Sequence, residues 1–147
     1  PDTERVSIAG IGEGTWRVVK WRGLPIVVRH RTSQEIALAR ATAIGDLRDP
    51  LARVAGQPAT LTALDENRVR QGQANWLVVI GLCPRSGCLI EPRRLDDAIE
   101  PGSIWFCPCD ACHFDTSGRV LKGRSTENLA VPLYRFVSPA EIEIGIA

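Results

Sequence analysis

Short runs of apolar residues, rich in Val, Ile and Trp, alternate along this chain with Gly, Pro and polar clusters. Runs of that length suit strands on a half-buried pleated surface, whereas a helix shows about ten or more residues at a 3.6-residue period. The pattern predicts strands at Trp16 to Trp21, Pro25 to His30, Trp76 to Gly81, Ser103 to Phe106, His113 to Asp115, Val120 to Leu121, Leu133 to Val137 and Glu141 to Gly145. Two of them close a hairpin across Thr116-Ser117-Gly118, because the glycine supplies the positive φ that a short loop needs. One short helix is expected from Ser33 to Ala39. Thr32 stands where it caps the free N–H groups of the first turn, and Glu35, three residues on, stands where it returns a bond to the backbone. From Asp46 to Asn75 the pattern dissolves into small and polar residues, which predicts an insertion or long loop with little regular structure. Trp16, Trp21, Trp76 and Trp105 fall in strands and read as core and sheet-packing residues. The expected fold class is mostly β with antiparallel sheets.

Composition narrows the function classes. A chain of 147 residues is the length of one domain, 1–147, with enough residues to bury a core without staples. With 44% hydrophobic residues, 24% charged and a formal net charge of +1, nothing indicates disorder, nucleic-acid binding or electrostatic recruitment to a membrane. No run approaches the roughly 18 apolar residues of a membrane span. Pro1-Asp2-Thr3-Glu4-Arg5 reads as neither a signal nor a transit peptide, so the chain as given is expected to be soluble.

The candidate chemistry lies in two boxes, Cys83-Pro84-Arg85-Ser86-Gly87-Cys88 and Cys107-Pro108-Cys109-Asp110-Ala111-Cys112-His113. Cysteines clustered in two short loops make a staple, a metal site, or both, rather than a disulfide framework spread through the fold. Any disulfide would place the domain outside a reducing cytosol.

The boxes resemble the two cluster-binding loops of Rieske iron-sulfur proteins, whose patterns are C-T-H-x-G-C and C-P-C-H-G-S. Lys20-Trp21-Arg22-Gly23, Val28-Arg29-His30-Arg31-Thr32 and Asp46-Leu47-Arg48-Asp49-Pro50 are similar to segments of the Rieske subunit of quinol:cytochrome c reductase. So are Trp76 to Gly81, Trp105-Phe106-Cys107-Pro108-Cys109, Ser117-Gly118-Arg119, Lys122-Gly123 and Glu127-Asn128-Leu129. The resemblance covers nearly the whole chain in order. It implies a Rieske fold, with antiparallel sheets and a small cluster-binding subdomain at 83–115, normally tethered by an N-terminal membrane helix; Pro1 is then expected to begin a soluble fragment. It further implies an extracytoplasmic location, in a bacterial periplasm or mitochondrial intermembrane space. The implied partners are cytochrome b and cytochrome c1 type subunits of a membrane respiratory complex, with no nucleic acid. No catalytic residue is expected from this domain alone, which is at most a subunit of a quinol:cytochrome c oxidoreductase.

The resemblance carries over residue by residue. Cys83 and Cys107 match the two cysteine ligands, and Cys88 and Cys109 match the disulfide that clamps the loops. The histidine-ligand positions hold Arg85 and Asp110. With only two histidines in the chain and His30 in a scaffold strand, His113 alone is near the site. Cys112 and Phe114 stand where the family's S-H-Y-D pattern places hydroxyls on the cluster and its cysteine. A thiol is a weak donor and a phenyl ring is none. Ser86 replaces an apolar tip residue, and Gly123-Arg124-Ser125-Thr126 replaces a proline-rich loop of pattern G-P-A-P.

Three functional readings follow. In the first, the domain is cluster-free and structural, held by Cys88–Cys109 and by a second disulfide from Cys83 to Cys107. In the second, an altered 2Fe-2S cluster uses Cys83 and Cys107 with two of Asp110, Cys112, His113 and Arg85. Anionic ligands in place of imidazoles would lower its potential. Zinc on Cys83, Cys107, Cys112 and either Asp110 or His113 belongs with this reading. In the third, Cys109-Asp110-Ala111-Cys112-His113 is a C-x-x-C-H attachment site for haem c, a reading opposed by the absence of Met. Two smaller expectations complete the set: an Arg85–Asp110 ion pair fills the vacated ligand space, and His113 is a partly exposed hydrogen-bonding residue rather than a ligand.

Overall fold

The computed structural model describes residues 2–147; Pro1, the expected start of a soluble fragment, lies outside them. Ten strands form three antiparallel sheets. The first joins β1 (Glu4–Ser7), β10 (Glu141–Ile144) and β9 (Tyr134–Ser138) in the order β1-β10-β9. The second joins β2 (Trp16–Trp21), β3 (Leu24–His30) and β4 (Trp76–Ile80) in sequence order. The third is a meander of β5 (Glu91–Pro92), β6 (Trp105–Cys107), β7 (Cys112–Phe114) and β8 (Val120–Lys122). No helix among the described residues is long and apolar enough to cross a membrane.

The expected strands all form, within a residue or two of their expected ends, but β1 and β5 were not anticipated. β1 reads Glu-Arg-Val-Ser, with Val6 alone buried. One apolar residue gives no period, and β1 exists because β10 offers it a partner, Val6 opposite Ile142. The unbroken Ile26-Val27-Val28 run is buried throughout because β3 is the middle strand of its sheet. Trp105, Phe114, Leu77 and Ile104 are fully buried in the core that the three sheets share. Trp76 is buried too, whereas Trp16 and Trp21 are half-exposed and pack against the core's edge.

The helix α1 runs Ser33–Ala41, two residues longer than expected, and Thr32 caps it by accepting from the Glu35 backbone N–H at 3.1 Å. The second half of the expected capping box does not form. Glu35 turns inward and grips Arg29 at 2.9 and 3.3 Å, since a buried guanidinium needs its charge more than an exposed helix end needs another acceptor. Arg29 also lies over the rings of Trp16 and Trp105 at 5.3 and 5.5 Å.

The stretch from Asp46 to Asn75 is the expected long loop. It does contain little regular structure, one short helix α2 (Asp65–Arg68) and isolated bridges such as Val54 to Val131. Mostly exposed or half-buried, it nevertheless sends a few buried side chains inward, Asp65 and Arg68 among them. Asp65 accepts from Arg31 at 2.6 and 3.0 Å, from Arg40 at 3.1 Å and from the Ser117 hydroxyl at 2.6 Å. Arg68, fully buried, donates to the carbonyls of Ser117, Ala52 and Leu129. Burial pulls the Arg68 guanidinium down to about 10 against the raising influence of Asp115. These bonds tie the segment to the Thr116-Ser117-Gly118 hairpin, which forms as expected, with Gly118 at φ 77°. Asp115 holds its turn by accepting from the Ser117 and Arg119 backbone N–H groups, each at 2.8 Å.

Candidate metal centre

Three loops converge at the end of the β5–β8 sheet. The first, Cys83 to Cys88, is closed by the Cys83 N–H donating to the Cys88 carbonyl and the Gly87 N–H donating to the Cys83 carbonyl, both at 2.9 Å. The second is the turn between β6 and β7, whose register sets Cys107 opposite Cys112. In it Ala111 adopts φ 52°, a left-handed conformation that costs a residue with a Cβ about 1–3 kcal/mol. The turn carries Asp110 and Cys112 on either side of that residue. The third loop, Gly123 to Ser125, is held down by Arg48, which donates to the Gly123 and Ser125 carbonyls at 2.6 and 3.0 Å. Gly123 has no substitute here, because a Cβ at its φ of 98° would lie 2.5 Å from the Cys112 Cα.

Cys88 and Cys109 are joined, as the resemblance implies, and clamp the first two loops together. Cys83, Cys107 and Cys112 are free and buried. The second disulfide expected in the cluster-free reading, Cys83 to Cys107, is therefore not formed. The Cys83 thiol approaches the Asp110 carboxylate at 3.7 Å, and the donor atoms of Cys83, Asp110 and Cys112 all lie within 4.8 Å of one another. Cys107 sits beside them, its thiol 3.5 Å from the Ser86 hydroxyl.

Electrostatics distinguishes the thiols. Burial, the largest influence on Cys83, pushes its thiol up. The backbone N–H and hydroxyl of Ser86, the Arg85 backbone N–H and the Cys107 thiol together outweigh it and leave Cys83 below the ordinary thiol value. Burial pushes Cys112 up, joined by the nearby charges of Cys83 and Asp110 and only partly offset by the backbone N–H groups of Ser125 and Arg124.

His113 does not join this group. Successive side chains of a strand alternate faces, so Cys112 pointing into the pocket sends His113 to the opposite side of β7. There it is buried rather than partly exposed, its Nδ1 2.9 Å from the Ser103 hydroxyl and its ring 4.9 Å from that of Phe106. Burial lowers its pKa. His30 is also committed elsewhere, its Nδ1 2.7 Å from the Ile11 carbonyl and its ring stacked on Trp76 at 4.4 Å. No imidazole among the described residues reaches the pocket, so the donor set does not fit a two-iron cluster held by two thiolates and two imidazoles. Haem attachment fits no better, since the Cys109 sulfur is already spent on Cys88.

Arg85 meets Asp110 at 3.8 Å across the two loops, the expected pair, with 54% of the arginine side chain in solvent. An exposed pair of that length is worth about 0–1 kcal/mol. Arg85→Ala should lower stability by no more than that and leave metal content unchanged, as urea unfolding and elemental analysis would show. A measured loss of bound metal would instead make Arg85 part of the site. Residue types alone did not reveal the contributions of Ser86 and Ser125. The Ser86 hydroxyl accepts from the Cys88 N–H at 3.2 Å, which leaves its own proton free for the Cys107 sulfur. The Ser125 backbone N–H donates to the Cys112 sulfur at 3.1 Å. A backbone donor leaves no trace in residue type; only Gly123 marked the close approach.

No protein-family model matches the chain. It is 40% identical over 140 residues to the ubiquinol-cytochrome c reductase iron-sulfur subunit of Rhodospirillum rubrum, which covers 95% of this chain and 69% of that protein. The subunit of the same name from Rickettsia prowazekii is 42% identical over 140 residues, covering 95% and 70%. Among solved structures, a chain of a hyperthermophilic respiratory Complex III matches 94% of this chain and 71% of its own length with a TM-score of 0.56. At 14% identity that likeness is one of fold.

Proposed function

Since this chain belongs to the family of Rieske iron-sulfur subunits of ubiquinol-cytochrome c reductase, we propose that it is a Rieske-fold head that has given up quinol oxidation. It serves as a structural or interaction subunit of a membrane respiratory complex. In this reading residues 1–147 act as one domain and 83–115 as its former cluster subdomain. The partners are cytochrome b and cytochrome c1 type subunits, met on the extracytoplasmic side of the membrane. The observation that carries the reading is the direction of the two imidazoles. Proton-coupled transfer at a Rieske site depends on imidazole ligands, and here His113 is bonded to Ser103 while His30 is stacked on Trp76. Where the family patterns place the ligands, Arg85 and Asp110 face each other instead.

The test is iron and acid-labile sulfide per chain, with visible absorption, on protein purified anaerobically from its own host. Colourless protein with neither iron nor sulfide supports a head without a cluster. Two irons and two sulfides would overturn it. That result would establish the second reading, a cluster with altered ligands, for which the free thiols Cys83, Cys107 and Cys112 are the available sulfur donors.

A further inference from the structure

We propose that the converted pocket binds a single soft divalent cation, zinc foremost, through Cys83, Asp110 and Cys112, with solvent completing its coordination. The proposal rests on the reading that the two-imidazole cluster is absent, and it gives the vacated site a different occupant.

Spacing is the first argument. A tetrahedral ion with bonds of about 2.3 Å to sulfur and about 2.0 Å to oxygen sets its ligand atoms roughly 3.5–3.8 Å apart. Cys83 and Asp110 already stand at 3.7 Å, and the Cys112 sulfur lies within 4.8 Å of both. Donors serving a two-iron cluster must instead divide into two groups, one on each iron. The compact group here suits one ion, with a water molecule free to fill the fourth position of the tetrahedron.

Chemistry selects the ion. Thiolates are soft ligands, poor for Mg²⁺ or Ca²⁺ and good for Zn²⁺, and thiolates with one carboxylate lie within zinc's ordinary ligand types. Backbone donors stand at both thiols: Cys112 receives the Ser125 N–H at 3.1 Å, and Cys83 is approached by the N–H groups of Arg85 and Ser86. Hydrogen bonds to ionised acceptors are roughly twice as strong as neutral ones, so these donors gain most once metal removes the thiol protons. Binding therefore releases the protons of the two thiols to solvent and leaves a divalent ion among three anionic donors.

Geometry also explains the staple. The group draws on two loops, Cys83 from one and Asp110 with Cys112 from the other, and Cys88–Cys109 holds those loops together whether or not metal is bound. The positive φ of Ala111 is the local cost of sending Asp110 and Cys112 to the same pocket.

The experiment uses the whole chain, purified anaerobically without added thiol so that Cys88–Cys109 stays intact. Zn²⁺ is titrated by calorimetry, and Co²⁺ serves as an optical probe. The expected result is one Zn²⁺ per chain, no sulfide, and a thiolate-to-cobalt charge-transfer band that zinc abolishes. Cys112→Ser and Asp110→Asn should each weaken zinc by about 100-fold or more, given that even residues behind the ligands are worth 10–100-fold. His113→Gln, outside the group, should leave affinity unchanged. Because a cysteine variant could fail to fold, the cobalt spectrum of the unaltered protein decides independently. Cobalt bound without a charge-transfer band, or no stoichiometric metal, overturns this inference and leaves the structural-subunit reading standing. Two irons with two sulfides overturns both.

Discussion

Asp65→Asn should cost about 3–5 kcal/mol of stability, the loss expected when one partner of a buried ion pair is removed and its charge left behind. Asp65 is 2% exposed and receives Arg31, Arg40 and the Ser117 hydroxyl on one carboxylate. Arg31 has only carbonyls left once the carboxylate is neutral, those of Ala74 and Thr116. The effect spreads because the same residues join α1, the segment from 46 to 75 and the 116–118 hairpin. Burial, the largest single influence on Asp65, pushes its carboxyl up. Its bonds from Arg31, then Ser117 and Arg40, overcome that and hold it below the ordinary carboxylate value. The sign follows: a group with a depressed folded pKa contributes stability above its unfolded value, near pH 4, and the contribution is lost as pH falls through the folded pKa. Urea unfolding monitored by tryptophan fluorescence should thus show a steep acid limb in the natural chain and a shallower one in Asp65→Asn. A loss under about 1 kcal/mol at pH 7 would mean that the network relaxes into water and does not brace the fold.

Removing the disulfide is the second large effect. Cys88 and Cys109 are 21 positions apart, and closing a loop of that size restricts the unfolded chain by about 3 kcal/mol. Cys88→Ser with Cys109→Ser should lower stability by that amount and make unfolding indifferent to reductant. The damage should be local at first. Beyond the clamp, the loop from Cys83 to Cys88 is held by the Leu82 to Leu89 bridge, its own turn bonds and the long contacts of Cys83, Arg85 and Ser86 to the second loop, whereas β3 is hydrogen-bonded on both sides. Amide exchange should accelerate in 83–89 and 108–111 while β2, β3 and β4 keep their protection. Uniform acceleration across all three sheets would show that the clamp supports the entire fold.

Each element read from a dense run of apolar residues formed, β3 and β4 above all, because Val and Ile in series have few alternatives to a buried strand. β1 and β5 escaped because two or four mostly polar residues become strands only when a neighbour supplies the hydrogen bonds. The segment from 46 to 75 is the loop that its sequence predicts, and its buried contacts are made by charges. No period in sequence announces that Asp65 will meet Arg31 from 34 positions away or that Arg68 will satisfy three carbonyls from distant segments.

The candidate site divides the same way. Sequence by itself determined the family resemblance, and through it the implied pairing of Cys88 with Cys109 and the presence of Arg85 and Asp110 at the histidine positions; the three further cysteines are a matter of residue identity alone. Only the tertiary structure decided where those groups point. Strand alternation in β7 turns Cys112 into the pocket and His113 away from it, and the left-handed Ala111 brings Asp110 round to Cys83. The physical reason is that a ligand set is defined by distances of a few ångströms among side chains, and those distances are set by register, turn geometry and the close approach at Gly123 rather than by the spacing of residues along the chain.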